Sequence, residues 1–302
     1  MKKLCLIITL MIVSSLAWSK DISFDDLVER DGLYYEKFSD VPFTGNVVSR
    51  IQGRIIKGKQ DGIWLIFDQD GKLSSKSNFR KGIADGQQFL YLHENGDLSA
   101  TFTYKQGQLY GEYISYFKNG QIESKGNYKD GKQDGEWLSY NENGQLMEKR
   151  NYKDSNLDGE FLVYRENGQL QTKYNNKDHK KDGEYLAYYE NGDLSAKAYF
   201  KQGQLHGEYI SYFKNGQIKS KANYKEGKRE GEYIKYFFNG HIAQKYTFIN
   251  GIIEGMYYEY YDNGELRTKG NISNDLREGV WETYNMNGEF NDKITYKSGD
   301  IR

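Results

Sequence analysis

Two kinds of side chain recur in a fixed phase along this chain and could together bind a partner. Glycines stand 24 residues apart through most of the sequence, and a tyrosine stands five residues after most of them. A lysine stands fourteen residues after nine of ten such glycines. Tyrosine rings offer flat contact area, and ammonium groups engage acidic partners. The spacing predicts a binding strip formed by Tyr116, Lys125, Tyr140, Lys149, Tyr164, Lys173, Tyr188, Lys197, Tyr212, Lys221, Tyr236 and Lys245.

The same two rows also have a purely structural interpretation. Tyrosines can pack one repeat against the next, and lysines can keep an exposed sheet face soluble and discourage strand-to-strand aggregation. The sequence leaves both interpretations open.

A third row, of glutamates, could in principle perform acid-base chemistry. Glutamate directly follows the glycine in six repeats, at Glu112, Glu136, Glu160, Glu184, Glu208 and Glu232. Catalysis needs one distinctive environment that tunes a pKa, and six equivalent copies do not supply one. The row therefore favours ion pairs or solvated turns.

Other catalytic and metal-binding patterns are missing from the sequence. The histidines His93, His179, His206 and His241 occupy unrelated phases of the repeat, and no zinc-ligand spacing appears. There is no Gly-x-Ser-x-Gly, Walker or dinucleotide motif. We therefore predict a protein that is not an enzyme, with no catalytic residue, no metal and no cofactor.

The glycines themselves mark a repeat array. They are Gly62, Gly86, Gly111, Gly135, Gly159, Gly183, Gly207, Gly231, Gly255 and Gly279, and only the step from Gly86 to Gly111 is 25 residues. A period of this length with a fixed internal pattern is typical of stacked structural repeats. We number positions in each repeat from this glycine as zero.

Each repeat reads as one β-hairpin. An aromatic residue usually stands at position 2, a second aromatic at position 5, Asn-Gly at positions 8 and 9, Leu or Ile at position 11 and an aromatic near position 17. Asn-Gly between two such runs predicts a two-residue type I′ turn. In that register, the position numbers of two residues that face each other across the hairpin sum to seventeen. One face would carry positions 2, 4, 11 and 13, and the other would carry positions 3, 5 and 14. The extra residue of the long repeat predicts a β-bulge around Gln87-Gln88-Phe89.

Composition agrees with a thin folded sheet. The 302 residues have a mean hydropathy of −0.88, yet they include 28 tyrosines, 33 glycines and one proline. Disordered chains are poor in aromatic residues. The 42 basic and 43 acidic residues are nearly balanced, without a basic block, so no nucleic-acid partner is expected. We predict an all-β fold: an elongated single-layer antiparallel sheet of about ten tandem 24-residue hairpins.

The N-terminal residues predict export. Lys2 and Lys3 precede an apolar run from residue 4 to residue 13, and Ala17-Trp18-Ser19 fits a cleavage site. Residues 1–19 are therefore interpreted as a signal peptide, and the periplasm, outer-membrane surface or extracellular space as the destination. Cys5 is the only cysteine, which excludes an internal disulfide.

The remaining chain divides into a cap and an array. Residues 20–57 are predicted to form an N-terminal cap, with a short helix over Ser23 to Arg30 and a degenerate hairpin around Pro42-Phe43-Thr44-Gly45. Residues 58–302 are predicted to form the repeat array.

The Gly-Glu-Trp/Tyr-x-x-Tyr…Asn-Gly-x-Leu phrase resembles the MORN repeat in its bacterial variant form, over about residues 58–300. The segment Pro42-Phe43-Thr44-Gly45 resembles the lead-in of bacterial MORN proteins labelled YwqK-family antitoxins. The MORN resemblance implies an elongated antiparallel sheet, scaffolding and protein binding, and in some members contact with membrane lipids.

Three functions follow as hypotheses. The first is an exported, non-enzymatic scaffold for an unidentified protein partner at the cell envelope or outside the cell. The second is an antitoxin or immunity protein that neutralises a secreted toxin. The third is a surface protein that binds anionic lipid or glycan. End-to-end self-association through exposed sheet edges is a further possibility.

Overall fold

The computed structural model describes residues 20–92 and 96–302. The predicted signal peptide over residues 1–19 lies outside the described residues, as does His93. The chain forms two compact units, one ending at Gln108 and the other comprising Leu109–Arg302.

The first unit is a mostly antiparallel sheet with a small hairpin beside it. Its strands are Lys20–Ile22, Leu27–Arg30, Leu33–Glu36, Gly45–Val47, Ile51–Ile56, Lys59–Phe67, Leu73–Arg80, Ile83–Ala84, Gly86–Tyr91 and Leu98–Lys105. Lys20–Ile22 pairs in parallel with Gly45–Val47, and Leu27–Arg30 pairs with Leu33–Glu36 as a separate two-stranded sheet. A buried cluster is formed by Ile22, Leu27, Phe43, Val47, Ile55 and Trp64.

The predicted helix over Ser23 to Arg30 is wrong. Only Phe24–Asp26 form a 3-10 turn, for which the Ser23 hydroxyl accepts a hydrogen bond from the Asp25 N–H at 3.4 Å. The chain then extends into Leu27–Arg30, because pairing with Leu33–Glu36 and burial of Leu27 outweigh the local helix signal.

The second unit consists of successive hairpins in chain order. Its strands are Gln108–Tyr116 (which begins at the unit boundary), Ile122–Lys129, Lys132–Gln133, Gly135–Tyr140, Leu146–Lys153, Asn156–Leu157, Gly159–Tyr164, Leu170–Lys177, Lys180–Tyr188, Leu194–Lys201, Gln204–Leu205, Gly207–Tyr212, Ile218–Lys225, Lys228–Arg229, Gly231–Tyr236, Ile242–Ile249, Ile252–Ile253, Gly255–Tyr260, Leu266–Ser273, Leu276–Tyr284, Phe290–Lys297 and Asp300–Ile301. Each long strand pairs antiparallel with its neighbours along the chain. The predicted all-β fold of tandem hairpins is confirmed.

The predicted register holds through most of each hairpin and then shifts. Gly111 pairs with Tyr128 and Ile114 pairs with Lys125, so these positions sum to seventeen as expected. Tyr116, however, pairs with Ile122 after a bulge, and the same shift recurs in the following repeats. Position 11 therefore lies opposite position 5, on the face that carries position 14. Its predicted place beside position 2 was wrong.

The cause of this shift is the turn at Asn-Gly, which has three residues and not two. The Phe117 N–H donates to the Gln121 carbonyl at 2.8 Å, and the Gly120 N–H donates to the Phe117 carbonyl at 2.9 Å. Gly120 has a φ of 81°, whereas Asn119 is not among the left-handed residues. A three-residue loop with a left-handed glycine is normally accompanied by a bulge.

A two-residue turn with two left-handed residues occurs instead at the other end of the hairpin. Asp130 and Gly131 have φ values of 50° and 78°, and Lys129 pairs directly with Lys132 across them. These angles match the type I′ turn that we had assigned to Asn-Gly.

The bulge predicted around Gln87-Gln88-Phe89 is also wrong. Pairing runs without interruption from Gly86 with Tyr104 to Leu90 with Ala100. The Leu92 N–H donates to the Asp97 carbonyl at 2.8 Å. Four residues separate this pair along the chain, against three between Phe117 and Gln121, so the extra residue lies between Leu92 and Asp97 in the sequence and not at Gln87-Gln88-Phe89.

Candidate interaction surface

One face of the second unit is built from stacked aromatic rings. Strand side chains alternate between faces, so position 2 projects to the same side in every repeat. We call this side the aromatic face, defined by Tyr113, Trp137, Phe161, Tyr185, Tyr209, Tyr233, Tyr257 and Trp281. Ring centroids of Tyr113 and Trp137 are 5.5 Å apart, and those of Tyr246 and Tyr257 are 5.4 Å apart. In a single layer this stack takes the place of a core.

Tryptophans on this face anchor one repeat to the preceding one. The Trp137 ring covers Gly126, and its indole N–H donates to the Asn127 carbonyl at 3.3 Å. The Trp281 ring covers Gly270 in the same way, and its indole N–H donates to the Asn271 carbonyl at 3.1 Å.

Three cations also lie on the aromatic face, at position 22 of alternate repeats. Lys181 Nζ is 4.4 Å from the centroid of Tyr174, the Arg229 guanidinium is 5.1 Å from that of Phe248, and the Arg277 guanidinium is 4.3 Å from that of Trp281. Burial lowers the pKa of Lys181. Sequence reasoning missed these residues, although their spacing of 48 residues could have revealed them.

The opposite face of the second unit, which we call the Tyr/Lys face, carries all twelve residues of the predicted strip. Lys149 pairs with Leu138 in its own hairpin and with Leu162 in the next. The sheet therefore places a row of alternating lysine and Leu or Ile across successive repeats. The strip tyrosines are half-buried beside it.

Four of the six strip lysines are ion-paired to glutamates of their own hairpins. Lys149 Nζ lies 2.6 Å from Glu136, Lys173 lies 2.7 Å from Glu160 and Lys197 lies 2.7 Å from Glu184. Lys245 makes the same contact with Glu232 at 2.6 Å. Positions 1 and 14 share a face, which allows this pair; Glu112 and Glu208 occupy position 1 in the repeats of Lys125 and Lys221, but no such pair is formed there in the described structure.

The ion pairs also change the acidity of the lysines. The hydrogen bond that the Lys149 ammonium donates to Glu136 raises the pKa of Lys149, and the bonds donated to Glu160 and Glu184 raise the pKa values of Lys173 and Lys197 in the same way. The two remaining strip lysines, Lys125 and Lys221, make no ion pair in the described part of the chain; Lys125 Nζ lies 6.0 Å from the Tyr140 centroid. The strip is thus largely neutral, with aliphatic and aromatic surface between its charges.

The row of glutamates at position 1 ends in the last two repeats, where exposed apolar side chains take its place. Met256 and Val280 occupy the glutamate position, and Lys269 pairs instead with Glu282 at 2.9 Å. We call the exposed aliphatic residues the apolar patch: Ile249, Ile252, Met256, Leu276 and Val280, exposed to 49, 41, 44, 47 and 51%. Sequence reasoning missed this patch, although the loss of glutamate at position 1 marks it.

Two of the described histidines, His179 and His241, hydrogen-bond to turn residues. His179 Nε2 is 2.9 Å from Asn156 Oδ1, and His241 Nδ1 is 2.7 Å from the Asp262 carbonyl. Within residues 20–92 and 96–302, no three side chains are grouped so that they could hold a metal ion. The same residues contain no helix with the length and apolarity needed to cross a bilayer.

Comparison with known families matches this hairpin period. The MORN repeat variant matches residues 60–81, 109–130, 133–154, 157–177, 181–202, 205–226, 229–250 and 253–274, together more than half of the chain. The chain belongs to the MORN repeat variant family. MORN repeats are generally protein- or lipid-binding modules, which makes this chain a repeat protein suited to binding. No curated protein matches it.

Solved structures show only distant likeness. Choline binding protein F from Streptococcus pneumoniae has 14% identity and a TM-score of 0.22, over 88% of this chain and 98% of that one. A GtfA/B complex bound to UDP and GlcNAc has 10% identity and a TM-score of 0.17, and a TcdB2-TccC3-Cdc42 structure has 12% and 0.19. These matches cover 53 and 88% of this MORN chain but only 27 and 17% of the other chains.

Proposed function

We propose that this protein is an exported, non-enzymatic scaffold that binds another protein through its Tyr/Lys face. The observation that carries the proposal is the pairing of strip lysines with glutamates at 2.6 to 2.7 Å. A neutralised row of charges between aliphatic and tyrosine side chains offers mixed polar and apolar contacts, as protein interfaces do. An anionic lipid or glycan would instead have to compete with glutamates for four of the six strip lysines.

The apolar patch supports the same proposal. Ile249 and Ile252 pair directly across a turn, and Met256 lies four residues after Ile252, in the next strand. Exposed aliphatic side chains grouped within neighbouring repeats commonly mark protein-binding surfaces.

The antitoxin alternative gains no support from its distinguishing segment. Phe43 is packed in the buried cluster of the first unit, and the Gly58 N–H donates to its carbonyl at 2.7 Å. These contacts give the Pro42 to Gly45 segment a structural role.

A crosslinked pull-down from the native cell envelope tests the proposal. The protein, tagged at Arg302, is compared with a variant carrying Lys149→Ser, Lys173→Ser and Lys197→Ser. A matched control carries Lys153→Ser, Lys177→Ser and Lys201→Ser, each four residues later at a turn. We expect one stoichiometric protein partner that the first variant loses and the control retains.

The same eluates are also analysed for lipid and glycan, and two outcomes would overturn parts of the proposal. Recovery of lipid or glycan without a stoichiometric protein would overturn protein scaffolding. Equal partner recovery by both variants would overturn the role of the Tyr/Lys face.

A further inference from the structure

The eight Asn-Gly turns of the second unit differ in how the asparagine side chain is held. In six of them the carboxamide is hydrogen-bonded through both its oxygen and its nitrogen. Asn119 Oδ1 accepts from the Gln121 N–H at 3.0 Å, and Asn119 Nδ2 donates to the Glu142 carbonyl of the next repeat at 2.7 Å. The other five asparagines with two such bonds are Asn167, Asn191, Asn215, Asn239 and Asn263.

The two remaining asparagines are released because another asparagine, at position 6, accepts the loop hydrogen bonds in their place. Asn141 Oδ1 accepts from the N–H groups of Asn143 and Gln145, both at 3.0 Å. Asn285 does the same in the loop of Asn287. The six other repeats have Phe, Tyr or Arg at position 6. The side chains of Asn143 and Asn287 therefore make no hydrogen bond with any described residue.

Asparagine followed by glycine has an intrinsic reaction with water. The glycine nitrogen bonds to the asparagine Cγ, the Cγ–Nδ2 bond breaks, and ammonia leaves with the proton that the glycine N–H gives up. The cyclic succinimide then adds water at one of its two carbonyls and opens to aspartate or to isoaspartate. For this reaction the carboxamide must rotate so that Cγ meets the glycine nitrogen, and hydrogen bonds to the carboxamide oppose that rotation.

Everything else about the eight loops is closely matched. The glycine N–H that must attack donates to the carbonyl of position 6 at 2.9 to 3.0 Å in every loop. The glycine φ lies between 78 and 92° throughout, and all eight asparagines are exposed to water. The freedom of the asparagine carboxamide is thus the feature that distinguishes two loops from the other six.

We propose that Asn143 and Asn287 are modification sites that deamidate through a succinimide ahead of the other Asn-Gly turns, with water as the co-reactant. A typical hydrogen bond contributes a net factor of about two to ten to an equilibrium. Two such bonds must break before the carboxamide of Asn119 rotates. Deamidation of Asn143 should therefore be at least about fivefold faster than that of Asn119.

The product alters the turn in two ways. Each event replaces a neutral amide with a carboxylate, next to Glu142 in the first site. Isoaspartate also adds one carbon to the main chain of a three-residue loop. Loop length sets the strand register, so the modification acts on the pairing of that hairpin.

Peptide mapping by mass spectrometry tests the proposal on the purified full chain. The protein is incubated at mildly alkaline pH, and the rate of conversion to aspartate and isoaspartate is measured at each of the eight asparagines. We expect Asn143 and Asn287 to react fastest. A parallel incubation in urea is the control, because the eight rates should converge once the loops are unfolded.

Two opposite variants test whether position 6 is the cause. Asn141→Phe introduces the residue of the Asn119 loop and should slow deamidation of Asn143, whereas Phe117→Asn should accelerate deamidation of Asn119 by at least about fivefold. Circular dichroism verifies that each variant is folded. Phe237→Asn, with Asn239 as the measured site, repeats the second test in another repeat.

Three results would each overturn the proposal. The first is a wild-type rate at Asn143 and Asn287 no higher than at Asn119. The second is a difference that persists in urea, which would assign it to the flanking residues. The third is an unchanged rate in both folded position 6 variants.

Discussion

The indole ring of Trp137 lies directly over the α-carbon of Gly126 in the preceding repeat. A Cβ built on Gly126 would stand 2.2 Å from Trp137 Cδ2. The same relationship joins Trp64 to Gly53 and Trp281 to Gly270. Tryptophan at position 2 therefore requires glycine at position 15 of the preceding repeat, since any side chain there occupies the space of the ring.

Gly126→Ala should destabilise the second unit by about 1 to 3 kcal/mol, because the added methyl group overpacks the ring. Chemical denaturation measures the loss. Adding Trp137→Tyr should recover part of it, since Ala222 already accommodates Tyr233 in a later repeat. A double variant no more stable than Gly126→Ala would contradict this explanation.

Glu136→Gln should release Lys149 and lower the pKa of its ammonium toward the ordinary lysine value. The hydrogen bond that Lys149 donates to Glu136 is the main cause of the raised pKa. A lysine whose pKa is higher in the folded state than in the unfolded state stabilises the fold at pH values below its unfolded-state pKa. This contribution is lost as the pH rises through the folded-state pKa. Exposed pairs contribute little, so the stability loss should stay below about 1 kcal/mol. NMR titration of the Lys149 side chain in the wild type and in Glu136→Gln checks the shift; an unchanged Lys149 pKa would contradict the role of Glu136.

Lys181→Met and Arg229→Met should have opposite effects on stability. Burial disfavours the charge on Lys181, and no carboxylate pairs with it among the described residues, so methionine should be neutral or stabilising. Arg229 Nε donates to the Tyr224 hydroxyl at 3.2 Å, and its loss should cost about 1 kcal/mol. Thermal unfolding compares the two variants. Greater destabilisation by Lys181→Met than by Arg229→Met would contradict the view that the buried Lys181 charge costs stability.

Alkaline unfolding should depend on Tyr257. Burial, followed by the nearby Glu259 charge, raises its pKa to about 12. Because the pKa of Tyr257 is higher in the folded state than its ordinary value near 10, the protonated ring stabilises the fold at pH values below 10. This stabilisation is lost as the pH rises toward 12. Tyr257→Phe should therefore weaken the fall in stability between pH 10 and 12, measured by denaturant titrations across this range. Tyr199→Phe, at an exposed site, is the control and should leave the fall unchanged.

The Asn-Gly turn shows what a few consecutive residues can predict about a hairpin and what they cannot. Asn119-Gly120 was correctly predicted as a turn, but its two-residue form was wrong because Phe117 and Gln121 close a three-residue loop. One residue of difference moved Ile122 to the other face of the sheet. Side-chain alternation has a period of two, so face assignments beyond a turn depend on the turn's length.

The sequence by itself determined the period, the hairpin, the all-β class and the family, because the same local pattern recurs in successive repeats. It also placed the tyrosines and lysines of the strip on one face, since the register near Gly111 follows from strand pairing. Export, the protein partner and the absence of enzymatic activity stay predictions.

Only the tertiary structure decided which charges are already satisfied. Lys149 and Lys153 are two lysines four residues apart on the strand Leu146–Lys153. The first meets Glu136 across the hairpin, whereas the second ends the strand and makes no ion pair with any described residue. Charge compensation depends on distances of a few ångströms between strands, and those distances exist only once the sheet has formed.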